Sequence, residues 1–138
     1  MLTEKDVIDA VLAFLRRKGY SLHGRADPNE RGVDLEMISA DGKKTFYIEA
    51  KGATSSKPAT NRYGKQFTGA QVKSHVAGAL LKTMGTLAAK APKLTQVAIA
   101  VPDNAHHCNI VDPILPLIRR LGISVFYVND QKKVRWVH

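Results

Sequence analysis

Glu49 and Lys51 occupy the stretch FYIEAKG, residues 46–52, where an extended chain sends a carboxylate and an ammonium to the same side of the pleat. Upstream, VDLEMIS (33–39) carries Asp34 and Glu36, and the intervening ADGK (40–43) contains Asp41–Gly42, a strong signal for a tight hairpin. With those two residues at the centre of the turn, Ala40 faces Lys43, Ser39 faces Lys44, and the same ladder brings Asp34 opposite Glu49. Directly opposed Cβ atoms lie about 4.5–5.5 Å apart. Two carboxylates held that close destabilise each other unless one is protonated or a cation stands between them.

A divalent ion is the simplest such cation. Mg²⁺ and Mn²⁺ favour oxygen ligands, and Mg²⁺ commonly binds through only one or two carboxylates, with water and substrate phosphate completing the shell. Alternation places Asp34, Glu36, Tyr47, Glu49 and Lys51 on one face, and Val33, Leu35, Met37, Phe46, Ile48 and Ala50 on the other. The apolar set is uninterrupted, which supports the register. Lys51 can then steady negative charge developing at a nearby phosphate or water. The competing reading is a surface patch in which Lys51 only neutralises the two acids.

At these residues the chain resembles the PD-(D/E)xK nuclease superfamily, with its restriction-endonuclease-like fold. The matching segments are GVDLEMIS, with Asp34, and YIEAKG, with Glu49, Ala50 and Lys51; Val33 stands where the motif's proline would be. The resemblance implies that Asp34 and Glu49 hold Mg²⁺ or Mn²⁺, that the Ala50 carbonyl joins them, and that Lys51 assists the attacking water. It also implies an α-β-β-β-α-β core over roughly residues 3–101, hydrolysis of phosphodiester bonds, and a nucleic-acid partner, DNA foremost.

Two more residues extend the resemblance. Members of the superfamily often carry an acid on the first helix that reaches the metal. Glu4 is the candidate, because 4, 8, 11 and 15 form one stripe with Ile8, Val11 and Leu15, whereas Asp6 and Asp9 point elsewhere. Glu4 is also well placed as a first-turn acid against the helix dipole. RecB-like members carry a QxxxY motif on the second helix; here QVKSH supplies Gln71 and His75, with histidine in place of tyrosine. Gln71 is equally readable as a solvated first-turn residue.

Other groupings carry less. NAHHCN holds His106, His107 and Cys108, yet adjacent histidines diverge and no second His/Cys pair stands at a supporting spacing for zinc. His23 can line the site from a neighbouring strand or serve structure. There is no Walker-type phosphate loop and no dinucleotide fingerprint.

The elements that must position these residues are legible from periodicity. Residues 3–19 read as a helix capped by Thr3 and stopped by Gly19; the Asp34 and Glu49 strands follow. Residues 52–68 form a basic loop rich in Gly, Ser and Thr. A helix from Ala70 to Ala89 uses Val72, Val76, Ala77, Leu80, Leu81, Met84 and Leu87 as its apolar positions. TQVAIAV reads as a buried strand, VDPILPLIRRLG as a third helix, and ISVFYV and KVRWV as closing strands. The expected fold is a single α/β domain over 1–138, a sandwich of a mixed central sheet flanked by helices, with the αβββαβ core extended by a helix and two strands.

Charge distribution suggests the partner. Residues 1–50 hold nine acids and eight bases, whereas Ala50 to Pro102 contains no acid and eight bases, within a net charge of +9. A one-signed middle beside clustered carboxylates suits a phosphate backbone, with Lys57, Arg62, Lys65 and Lys73 as contacts. One cysteine excludes an internal disulfide framework, and no apolar run approaches the ~20 residues of a membrane span, so a cytoplasmic location is expected. The functional expectation is a Mg²⁺- or Mn²⁺-dependent nuclease, acting alone, as a homodimer or within a larger DNA-processing complex. A catalytically silent binding module on the same fold is the alternative, and a structural protein with salt-bridged acids a third.

Overall fold

The computed structural model describes residues 1–26, 32–55, 61 and 64–138. Helix α1 (Glu4–Arg17) starts at a capping box: Thr3 Oγ1 accepts from the Asp6 amide at 3.2 Å, and Asp6 Oδ2 accepts from the Thr3 amide at 2.9 Å. It stops before Gly19, whose φ of +94° suits glycine. Three strands follow, β1 (Ser21–Arg25), β2 (Leu35–Ile38) and β3 (Thr45–Ala50). Then come α2 (Gly69–Ala89), β4 (Thr95–Pro102), α3 (Ala105–Val111), α4 (Leu115–Arg120), β5 (Ile123–Val128) and β6 (Val134–Val137). This is a mixed α/β fold with one open six-stranded sheet, its strands lying side by side in chain order.

Strands β1, β2 and β3 pair antiparallel, β3, β4 and β5 run parallel, and β6 returns antiparallel. Parallel neighbours need crossovers, which α2 supplies between β3 and β4, and α3 with α4 between β4 and β5. One face of the sheet, with Met37, Phe46, Ile48, Ala50 and Phe126, packs under α1. The other, with Val97, Ile99, Val101, Val125 and Tyr127, packs under α2, α3 and α4.

The β2–β3 register is the expected one: Leu35 pairs with Ile48, Glu36 with Tyr47 and Met37 with Phe46. The turn itself differs. Its hydrogen bond runs from the Gly42 amide to the Ser39 carbonyl at 2.8 Å, placing Ala40 and Asp41 at the centre and Gly42, at φ +74°, just after them. Asp41 Oδ1 accepts from the Lys43 amide at 2.9 Å, and Ser39 still pairs with Lys44, so the register is kept.

Two helices depart from expectation. The buried side of α2 is Val72, Val76, Ala79 and Thr83, with Leu80 and Leu87 partly buried, whereas Ala77, Leu81 and Met84 face outward. A helix apolar on both sides does not declare from periodicity which side docks. The expected third helix over 111–122 is only the short α4, preceded by a 3-10 turn over Asp112–Ile114, because Pro113 and Pro116 lack the amide hydrogens a continuous helix needs; a further short helix, α3, stands before it over Ala105–Val111.

Candidate active site

Asp34 sits one residue before β2, and its Oδ2 accepts a hydrogen bond from the Ala50 amide at 2.8 Å. That bond crosses from the start of β2 to the end of β3 and continues the hairpin by side chain where the backbone ladder stops. It also holds the Asp34 carboxyl against the next residue back, Glu49. The Glu49 side chain lies on the face that α2 covers, and the residue as a whole is only 5% exposed. Burial pushes its carboxyl up to about 7; the neighbouring charge and hydrogen bond of Asp34 push the same way, and Lys82 opposes them. The two carboxyls are therefore held close in a poorly solvated place.

Glu4 reaches the same neighbourhood from α1, on the other side of the sheet. The Leu2 carbonyl accepts from the Ala53 amide at 2.7 Å, docking the start of α1 against the chain leaving β3. A side chain at Gly52 would forbid this: a Cβ there would lie 2.4 Å from the Glu4 amide nitrogen and 2.7 Å from the Thr3 carbonyl carbon. The half-buried Glu4 carboxyl is raised above the usual carboxylate range, first by burial and then by the charge of Asp34, against the pull of Lys51 and Lys82. Asp6 is spent on the helix cap, and Asp9 pairs with Lys5 at 2.8 Å and Arg25 at 2.7 Å.

Lys51 extends the β3–β4 ladder by one bond, its amide donating to the Ala100 carbonyl at 2.9 Å. Its ammonium is felt electrostatically at Glu4 and at His75, where burial and then the Lys51 charge depress the imidazole. His75 stands edge-on to the Phe67 ring, with centroids 4.6 Å apart. Gln71 forms the capping box of α2: its Oε1 accepts from the Thr68 amide at 2.9 Å, and its amide donates to Thr68 Oγ1 at 3.3 Å. Its carboxamide oxygen thus serves the helix start. Lys65 and Lys73 are exposed, while Lys57 and Arg62 lie outside the described residues. His23, on the exposed edge strand β1, also faces solvent.

The residue that sequence reasoning passed over is Lys82. Its Nζ lies 2.9 Å from Glu49 Oε1 and also donates to the Gly32 carbonyl. The contact with Glu49 is an ion pair at the buried Oε1, whose alignment falls short of a full hydrogen bond. A signal for Lys82 was present: Gln71, His75 and Lys82 follow one stripe of α2 at spacings of one and two turns. Helical side chains lean toward the helix N-terminus, so Lys82 reaches back along α2.

His106, His107 and Cys108 lie on α3. His107 is fully buried with Nδ1 2.8 Å from Asn104 Oδ1, and Cys108 Sγ donates to Asp103 Oδ1 at 3.3 Å. Among the described residues, no group of three or more His, Cys, Asp or Glu side chains is gathered closely enough to hold a metal. A hard ion that takes one or two carboxylates asks for less, and Asp34 and Glu49 offer two neighbouring carboxyls of the kind it favours. The cavity of about 300 Å³ lined by Thr95, Arg119, Ser124 and Trp136 is at the opposite ends of β4 and β5 and does not belong to this site.

No helix among the described residues is long and apolar enough to cross a membrane. No family model matches the chain, and no curated protein matches it by sequence. Among solved structures it is similar to the YaeQ protein from Xanthomonas axonopodis pv. citri, at 14% identity and a TM-score of 0.42, covering 94% of this chain and 58% of that one. It is also similar to Pyrococcus furiosus SfsA, solved with Ca²⁺, at 13% identity and a TM-score of 0.35, covering 96% of this chain and 58% of that one. The chain thus spans 58% of the length of either structure. Likeness this distant carries no functional argument, and the case for the site rests on its own residues.

Proposed function

We propose that this protein is a divalent-metal-dependent nuclease that hydrolyses phosphodiester bonds in DNA, built on a restriction-endonuclease-like αβββαβ core. The observation that carries the reading is the pairing of Asp34 with Glu49: two carboxyls close together at the open end of a hairpin, Asp34 held there by the Ala50 amide and Glu49 buried, with Lys51 two residues on. Such a pair is poorly stable as two bare charges and suits a hard cation.

Asp34, Glu49 and the Ala50 carbonyl would hold Mg²⁺ or Mn²⁺, with Glu4 reaching it directly or through water. When bound, the ion supplies Lewis-acid polarisation of the phosphate and acidifies the attacking water. Lys51 places an ammonium where negative charge builds on the phosphoryl oxygens. Lys57, Arg62, Lys65 and Lys73 draw the strand in through its phosphates, a sequence-independent attraction. Gln71 and His75, one turn apart at the start of α2, would assist that approach.

The second reading is a nucleic-acid-binding module without turnover. The Lys82–Glu49 ion pair favours it, because an ammonium already neutralises part of the carboxylate charge. A cleavage panel of duplex, nicked, flapped, branched and single-stranded DNA, and RNA, with Mg²⁺ or Mn²⁺, separates the two. The nuclease reading predicts metal-dependent cleavage of at least one DNA form that Asp34→Ala and Glu49→Ala abolish. Binding without cleavage of any form would establish the module instead.

A further inference from the structure

Lys82 does something that a lysine on the exposed side of a helix does not. Its Nζ stands 2.9 Å from Glu49 Oε1 while donating to the Gly32 carbonyl, so one ammonium ties α2 both to the buried carboxylate and to the segment leading into Asp34. The Glu49 side chain is 7% exposed, but that of Lys82 is 46% exposed. The ammonium therefore has an open route to water, whereas the carboxylate is nearly covered. Its charge also reaches Glu4. Among the described residues, Lys82 is thus the cation that pairs with the buried member of the Asp34–Glu49 pair.

We infer that Lys82 is a displaceable internal cation, occupying the carboxylate pair in the metal-free protein and leaving it when a divalent ion enters, which frees Gly32 from α2. The inference rests on the metal-site reading above. Three physical points carry it. An ammonium has one charge and three donors, so it cannot satisfy two carboxylates as a doubly charged ion can, and at equal distance the divalent ion is attracted about twice as strongly. The oxygen that Lys82 approaches, Glu49 Oε1, is the buried one lacking a hydrogen bond, so ammonium and metal compete for the same atom. The lysine stem is flexible and its head gains water on leaving. Ion binding would then be coupled to release of Gly32, two residues before Asp34.

The test needs no nucleic acid and no turnover. In protein carrying isotope-labelled lysine, the Lys82 side-chain NMR signal, assigned through Lys82→Arg, should move to the position of a solvent-exposed lysine in step with Mg²⁺ saturation. The Lys73 signal should stay still. By calorimetry, Lys82→Met should bind Mn²⁺ roughly threefold or more tightly than the unaltered chain, whereas Lys73→Met should not. Saturation with an unmoved Lys82 signal would overturn the inference, as would equal or weaker Mn²⁺ binding by Lys82→Met. Equal binding by both chains leaves the metal site standing and removes only the displacement; absence of binding by both removes the metal site as well. Should Lys82→Met not fold, the NMR titration of the unaltered chain decides alone.

Discussion

The α-carbon of Gly52 passes so near the backbone of Glu4 that a methyl group on it would lie 2.4 Å from the Glu4 amide nitrogen. The closeness joins the N-terminus of α1 to the end of β3, and it brings the carboxyl of Glu4 into the field of Asp34 and Lys51. Gly52→Ala should therefore move α1 as well as lose stability. The expected cost is about 1–3 kcal/mol, read from denaturant melts, with weaker metal binding than in the unaltered chain. An unchanged melt would mean that α1 does not dock as described.

Asp34 has two separable duties, as acceptor for the Ala50 amide and as a charge beside Glu49. Asp34→Asn keeps an oxygen for the amide, so the fold should stay near its normal stability while metal binding and cleavage are lost. Asp34→Ala leaves the buried amide unmatched and should cost about 1–3 kcal/mol as well. Paired melts and Mn²⁺ titrations of the two variants distinguish the duties.

Glu49→Ala and Lys51→Ala should each abolish cleavage while duplex binding persists, because the proposed phosphate contacts at Lys57, Arg62, Lys65 and Lys73 are left unaltered. Gel shifts beside cleavage assays read both properties. Retained cleavage by both variants contradicts the active-site assignment.

Glu49 makes stability depend on pH in a definite direction. Its carboxyl holds a proton to about pH 7 in the folded metal-free chain, against an ordinary value of 4.5. The folded state therefore binds more protons between those values, and this contribution is fully present below about 4.5 and lost as pH rises through about 7. Thermal melts without metal should show Tm falling across that window, and Glu49→Gln should flatten the fall. Because metal entry expels the proton, Mn²⁺ affinity should rise over the same window, by up to about tenfold per pH unit.

The basic middle of the chain predicts salt-sensitive DNA binding. Replacing Lys57, Arg62, Lys65 or Lys73 by Ala should weaken binding alike across DNA sequences, and each phosphate left without its cation should lower the log–log salt slope by about one. Binding titrations at several salt concentrations measure it; a slope near zero in the unaltered chain would rule out the phosphate-binding surface.

Period-two alternation from Val33 to Lys51 and the local chemistry of Ser39 to Lys44 were enough to pair β2 with β3 in the observed register, even though the turn closes at Gly42 rather than one residue later. The caps at Thr3 and Gly19 were equally local, as was the stripe that points Glu4 inward. The outward face of α2 was not legible, because Leu81 and Met84 are as apolar as the residues that dock. Nor did sequence reveal α3 or the 3-10 turn before α4, although Pro113 and Pro116 mark the interruption once a continuous helix over 111–122 is questioned.

Neighbours in sequence thus determined which side chains share a face, since alternation and turn closure are set by a few consecutive residues. Only the docking of whole elements decided what covers that face. The α2 crossover lays Lys82 beside Glu49 and shields its carboxyl from water, and the bare backbone of Gly52 admits Glu4 from across the sheet. Both contacts depend on how close two separately formed surfaces come, and that distance is a property of packing, which no local periodicity encodes.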